Sequence, residues 1–222
     1  MKTSPSDNIP PVGHACEILD APSVNISVAD CQKKIVRDLF SAIKSRDVQA
    51  VIRLTPGIDD LDSHFDEDCN ERPLLLAARY DLPVAAFQVL LERSNPQLAG
   101  ANGATPLILV ACGTEPYSAD LMRLLLPLSD PRALCGANSA LRHAINAYSY
   151  SAGSTEIISL LLPVSDLTQM DMDGRAPLAQ ARRVNLGKDA ELILGEMARR
   201  ESEELARSAG SSISMNSRIP RL

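Results

Sequence analysis

The stretch that decides the fold is Thr105-Pro106-Leu107-Ile108-Leu109-Val110-Ala111, because versions of it recur along the chain. Close copies occupy residues 72–78 and 176–182, and weaker copies occupy 139–145 and 38–43. The anchor leucines of the five copies are spaced 35, 33, 34 and 37 residues apart: Leu39, Leu74, Leu107, Leu141 and Leu178. A fixed period of this length is typical of repeat proteins, in which each unit covers the apolar face of the next.

A second motif, rich in leucine, isoleucine and valine, follows the first four copies in step, at residues 51–54, 87–91, 121–126 and 157–162. Proline is tolerated in a first helical turn, and it stops a helix that has already begun. Pro106 therefore favours a helix start, whereas Pro127 and Pro163 favour helix ends. Each unit is predicted to be a helical hairpin whose second helix directs leucines such as Leu125 and Leu161 inward.

The turn-rich segments between hairpins complete a family pattern. Gly100-x-x-Gly103-x-Thr105-Pro106-Leu107 and Asp171-x-x-Gly174-x-Ala176-Pro177-Leu178 resemble the ankyrin repeat consensus most closely. The Leu-Pro-x-Ser-Asp ending of the second helices is similar to that of short bacterial ankyrin repeat proteins. The resemblance covers residues 33–207 and implies an all-α, ankyrin-type helix-turn-helix solenoid of about five repeats with hairpin-like finger loops.

The implied units lie near residues 33–62, 63–98, 99–133, 134–169 and 170–207. In the family, a histidine after the anchor leucine makes a polar link between neighbouring repeats. Here that position holds Leu75, Ile108, Arg142 and Ala179, so we expect the link to be absent.

The two ends of the repeat array are predicted to differ from its middle, because terminal units need a polar outer face. Residues 188–207 are strongly charged and are predicted to form a C-terminal capping helix. Residues 28–44 are predicted to form either a capping helix pair or one longer helix. Composition predicts a mostly disordered segment over 1–32 and a flexible tail over 208–222.

Charge and composition narrow the classes of function. The chain has 22 basic and 28 acidic side chains, a net charge of -6, and no dense basic block, which argues against nucleic acid as a partner. No apolar run approaches the 18 residues of a membrane span, so no membrane association is expected. Residues 1–28 lack the continuous apolar region of a secretory signal. Five cysteines without a CxxC pair indicate reduced thiols in a cytoplasmic protein rather than zinc or disulfides.

Catalytic and metal motifs are missing from the sequence. His14, His64 and His143 fall in a tail, a loop and a helix, and no nucleophile elbow, zinc-protease, P-loop or dinucleotide motif accompanies them. The segment starting at Asp66 imitates a calcium loop, but Glu71 replaces the required glycine. The chain is therefore predicted to be no enzyme and to use no metal or cofactor.

Residues 59–71 hold seven carboxylates and are the most distinctive local feature. They are interpreted either as a solvated loop or as an extended acidic finger that docks a basic partner. Tyr117, Tyr148 and Tyr150 lie in lengthened connections and are either interface anchors or ordinary half-buried residues.

The resemblance implies a non-enzymatic, monomeric module that binds a protein partner through its concave face and finger loops. The positions that correspond to this surface are Asp66, Asp68, Glu71, Arg72, Arg79, Asn102, Leu109, Cys112, Asn138, His143, Asn146, Asp173, Arg175 and Gln180. Two narrower functions remain open. The first is a bacterial effector delivered into a host cell by a non-Sec route, suggested by the Ser- and Pro-containing residues 1–8. The second is a resident cytosolic inhibitor or immunity adaptor, suggested by the acidic segment.

Overall fold

The described part of the protein is mostly helical. The computed structural model describes residues 28–68, 70–113, 117–150, 155–184 and 186–215, and these contain ten α-helices and one short strand pair. The helices are α1 (Val28–Lys44), α2 (Val48–Leu54), α3 (Pro73–Arg79), α4 (Val84–Leu91), α5 (Pro106–Ala111), α6 (Ser118–Leu125), α7 (Ala140–Tyr150), α8 (Thr155–Leu161), α9 (Pro177–Arg183) and α10 (Gly187–Met215). The strands β1 (Leu134–Cys135) and β2 (Asn138–Ser139) are antiparallel. The prediction of an all-α protein is confirmed.

The helices lie in two layers. The first layer contains the odd-numbered helices α1 to α9, each packed against the next odd-numbered helix, and the second contains α2, α4, α6, α8 and α10. Each first-layer helix also packs against the second-layer helix that follows it in sequence. Five helix pairs are thus stacked side by side, and one continuous apolar core runs between the layers.

Proline sets the starts of three first-layer helices. Pro73, Pro106 and Pro177 each occupy the first helical position, where a missing N–H costs no hydrogen bond. Before Pro106, the Thr105 hydroxyl caps the helix by accepting from the Ile108 N–H at 3.4 Å. The anchor leucines of the first four pairs are buried, and Leu178, the anchor of the last pair, is half-buried.

Proline also ends three second-layer helices, each in a single 3-10 turn. These turns are Thr55–Gly57, Leu126–Leu128 and Leu162–Val164. The inward direction of the preceding leucines is confirmed, because Leu125 and Leu161 are 0% exposed.

Four tight turns connect the pairs at the same edge of the stack, and we call residues 66–71, 100–104, 135–138 and 171–175 the finger loops. In the third pair, the Gly100 N–H donates to the Ala104 carbonyl, and in the fifth the Asp171 N–H donates to the Arg175 carbonyl. Gly103, Gly136 and Gly174 have positive φ angles, which glycine adopts without strain. Asn70 takes the equivalent place in the first finger loop, with φ 53°.

The ends of the stack differ from expectation. Residues 28–44 form one helix, so residues 28–32 belong to the helical array rather than to the N-terminal segment. Helix α10 continues to Met215, past the predicted boundary at 207, because residues 208–215 contain no proline to stop it. The remaining parts of the two predicted tails, 1–27 and 216–222, lie outside the described residues. None of the helices in the described ranges is long and apolar enough to cross a membrane.

The expectation that no polar link joins neighbouring pairs is wrong at Arg142. This side chain is only 2% exposed, and its guanidinium donates to the Asp171 carboxylate at 2.6 Å. It also donates to the backbone carbonyls of Gln169, at 3.2 Å, and Arg175. A long side chain with several donors thus reaches from α7 to the next finger loop, which the shorter side chains at 75, 108 and 179 could not do.

Leu125→Ala and Leu161→Ala should each lower the free energy of unfolding by about 2–5 kcal/mol, because each leaves a cavity in the core. Leu128→Ala is the matched control, since Leu128 is 48% exposed, and it should change stability by less than about 0.5 kcal/mol. Urea unfolding followed by circular dichroism measures all three values. Equal effects at positions 125 and 128 would contradict the two-layer assignment.

Candidate binding surface

The fourteen residues predicted to bind a partner lie on the finger loops and on or beside the first-layer helices, but they differ widely in accessibility. Five are exposed: Asp68, Arg79, Asn102, Cys112 and Asp173. Six are half-buried: Arg72, Leu109, Asn138, His143, Asn146 and Arg175. Three are buried and unavailable to a partner: Asp66, Glu71 and Gln180.

Asp66 serves the fold rather than a partner. Its Oδ2 lies 2.9 Å from Lys44 Nζ on α1, and its Oδ1 accepts from the Asp68 N–H at 3.1 Å. Lys44 also pairs with the exposed Asp68, and hydrogen bonds to Asp68 and then Asp66 raise the Lys44 pKa above its ordinary value. The first finger loop is therefore held against α1 by one ammonium group shared between two carboxylates.

Glu71 and Arg72 are also engaged within the chain. Glu71 is 7% exposed, and its carboxylate accepts hydrogen bonds from both Nε and Nη2 of Arg79. Arg72 Nε donates to the Asp62 carbonyl at 2.9 Å, and its Nη1 donates to the Ala99 carbonyl at 3.0 Å. These bonds tie the acidic segment to the connection that follows α4.

The acidic segment is consequently no extended finger, and that prediction is wrong. Leu61 is 0% exposed and draws the segment onto the core, and the Asp62 carboxylate accepts the Asn95 N–H at 2.8 Å. The sequence shows the carboxylates but not their donors, which lie on other elements. Asp59 and Glu67 remain exposed.

Asp66→Asn should lower the melting temperature by roughly 3–8 °C, because the amide cannot pair with Lys44 and its buried polar atoms need new partners. Asp68→Asn removes the same charge from a side chain that is 84% exposed and should change the melting temperature by less than about 2 °C. Differential scanning calorimetry at pH 7 compares the two variants. Equal melting temperatures would contradict the conclusion that the Asp66 carboxylate stabilises the fold.

The middle of the surface is uncharged at neutral pH. Burial lowers the pKa of His143, and a hydrogen bond with the Cys135 backbone opposes this shift only in part. Although Cys112 as a whole residue is exposed, packing around its thiol desolvates it and raises its pKa, with a smaller contribution from nearby Cys135. The Cys135 thiol donates to the Asn102 carbonyl at 3.2 Å. The protonated Cys112 thiol is a weak nucleophile, and the neutral imidazole is suited to hydrogen bonding.

Two further predicted residues pair with each other. Gln180 Nε2 donates to Asn146 Oδ1 at 2.5 Å, and Gln180 Oε1 accepts from Arg183 Nε at 3.2 Å. Because Gln180 is 3% exposed, it links α7 to α9 instead of facing a partner. In the last finger loop, Asp173 and Arg175 form an ion pair at 2.6 Å that is open to solvent.

The sequence did not predict one feature of the surface. A groove of about 630 Å³ lies between α1 and residues 64–68, and it is lined by Gln32, Lys33, Val36, Arg37, Phe40, Ser41, Lys44, His64, Phe65, Asp66, Glu67 and Asp68. The signal was the spacing of Lys33, Arg37, Ser41 and Lys44 at three or four residues, which places them on one helix face. Of the tyrosines considered as anchors, Tyr117 is 37% exposed, and the side chains of Tyr148 and Tyr150 lie outside the described residues.

Within the described ranges, no group of three or more His, Cys, Asp or Glu side chains is placed to hold a metal ion. No protein-family model matches this chain, and no curated protein matches it. The case for a function therefore rests on the geometry above.

Acidification should destabilise the protein through His143. Its folded-state pKa is depressed, so the unfolded chain takes up a proton more readily as the pH falls below about 6.5. This contribution to stability is full above the unfolded pKa and is lost as the pH falls through the folded pKa. His143→Gln keeps a polar side chain but cannot titrate in this range, so its loss in melting temperature between pH 7.5 and 5.5 should be smaller by roughly 1–3 °C. Thermal melts at both pH values measure the difference, and identical losses would contradict it.

Proposed function

We propose that this chain is a non-enzymatic ankyrin repeat protein that binds a protein partner through the finger loops and the exposed side of the first-layer helices. The proposal rests on the stack of five helix pairs connected by finger loops, two of which, 100–104 and 171–175, close with the same pair of backbone hydrogen bonds. Stacked repeats of this kind create extended surfaces that suit protein partners.

Three local features support the ankyrin assignment. First-layer helices start at proline after residues such as Thr105, second-layer helices end in proline-containing turns, and glycine occupies the positive-φ position of three finger loops. These features follow the period of the anchor leucines. Gly103 and Gly174 each lie four residues before their anchor leucine, and Gly136 lies five before Leu141. A chance likeness in one motif would not account for all three features.

The chemistry of the surface indicates how it would bind. Asn102, Cys112 and His143 form a neutral polar middle, whereas Asp173 and Arg175 neutralise each other in the last finger loop. Such a surface would gain affinity from shape and directed hydrogen bonds more than from long-range attraction. Since Asp66 and Glu71 are paired internally, a basic partner could meet only the exposed carboxylates of the acidic segment, such as Glu67.

The test begins with capture of partners from the source cell's lysate on the immobilised full chain, identification by mass spectrometry, and calorimetry with the purified partner. Ala101→Arg in a finger loop and Ala179→Arg on α9 add bulk at exposed positions of the proposed surface. We expect at least one of them to weaken binding more than tenfold. Ala85→Arg, at an exposed position of the second-layer helix α4, is the matched control and should bind normally. A partner lost only with Ala85→Arg would overturn the proposed surface.

The narrower functions remain predictions. The prediction of delivery into a host cell rests on residues 1–8, which lie outside the described part of the chain, and the cytoplasmic location rests on the cysteines and the missing secretory signal. Translocation of a reporter fused to residues 1–30 would distinguish a delivered effector from a resident inhibitor or immunity adaptor.

A further inference from the structure

The groove between α1 and residues 64–68 has opposite charges at its two ends. Lys33 and Arg37 line one end and give it two positive charges. At the other end, Asp66 and Asp68 share the single ammonium of Lys44, and the exposed Glu67 adds a further carboxylate to the lining. The acidic end is held in place, because Lys44 on α1 pairs with both Asp66 and Asp68 on the loop.

The middle of the groove is apolar. Val36 and Phe40 lie on the same face of α1 as Arg37 and Lys44, and Phe65 lines the opposite wall with 43% of its side chain exposed. The Arg72 guanidinium stacks over the Phe65 ring, 4.7 Å from its centroid, and fixes the ring's position. The groove therefore offers an apolar contact between two charged ends.

The dimensions fit an extended peptide. Lining residues 32–44 span about 18 Å of α1 at 1.5 Å per residue, which corresponds to roughly five residues of extended chain. From Arg37 to Lys44 the helix rises about 10 Å, or roughly three extended residues.

We infer that this groove binds an extended segment of a partner protein, which carries a carboxylate opposite Lys33 and Arg37, an apolar side chain over Val36, Phe40 and Phe65, and a basic side chain opposite Glu67. The acidic and basic residues of that segment are three to five positions apart. The inference deepens the proposed function and rests on it, since it names the partner's chemistry at one end of the same surface.

The test uses the full chain as bait for a random peptide library displayed on phage. Selected peptides should carry an acidic and a basic residue three to five positions apart with an aliphatic or aromatic residue between them. One selected peptide is then synthesised with a fluorescent label, and its binding is measured by fluorescence anisotropy. Lys33→Glu combined with Arg37→Glu should weaken it at least tenfold.

Two matched measurements make the result specific. Lys34→Glu combined with Arg53→Glu changes the net charge equally at exposed positions that do not line the groove, and it should leave binding within about twofold of wild type. Exchanging the peptide's acidic residue for lysine should abolish binding to wild type and restore binding to the Lys33→Glu, Arg37→Glu variant. Unaltered melting temperatures establish that both variants are folded.

Several outcomes would overturn the inference. These are selection of no peptide, selection of peptides without the charge pattern, or equal loss of binding in both double variants. A photoreactive residue in place of Ser41 that crosslinks to another part of this chain or to a second copy would assign the groove to that occupant instead. If the captured partner is sensitive to Ala101→Arg but not to Lys33→Glu with Arg37→Glu, the proposed function stands and only this inference fails.

Discussion

The whole structure depends on burial that no helix pair can achieve alone. Helices α3 and α5 have seven and six residues, far below the length at which an isolated helix is stable in water. Their backbone hydrogen bonds persist because leucines such as Leu74 and Leu107 are enclosed by neighbouring helices. Each inner pair buries apolar surface of the pairs on both sides, and each terminal pair does so for one. The stability of this protein therefore depends on the whole stack rather than on any single pair.

Polar side chains then fix how the pairs sit against one another. Arg142, Asp66 and Gln180 are all nearly inaccessible, and each bonds to a residue on another element. Buried polar groups are costly unless they are paired, so these bonds favour one arrangement of the loops over alternatives with equal apolar contact. Residues that the sequence suggested as partner-binding groups, such as Asp66 and Gln180, instead form polar contacts within the chain.

The sequence predicts the features that depend on nearby residues, but not the contacts between residues that lie far apart in the chain. Leu125 could be placed inward because its repeat period and the following proline are local signals, and the structure places it in the core. Asp66 could not be distinguished from Asp68, because Lys44 approaches both from a separate helix and only the packing buries one of them. The same holds for Asn146 and Gln180, which lie 34 residues apart. Asn70 was missed as a turn residue because glycine holds the corresponding position in two other finger loops, at Gly103 and Gly174.

The length of α10 gives one helix two different environments. Its 29 residues extend for about 43 Å, whereas the other second-layer helices have seven or eight residues. Up to Arg200, which donates to the Leu162 and Ser165 carbonyls, the helix is fastened to the stack, and residues 201–207 are exposed. Amide hydrogens near the buried residues Asp189, Ala190 and Ile193 are expected to exchange more slowly than those in its second half, which need only local fraying. Protection from hydrogen exchange is therefore expected to fall along the axis of this one helix, from its packed first half to its exposed second half.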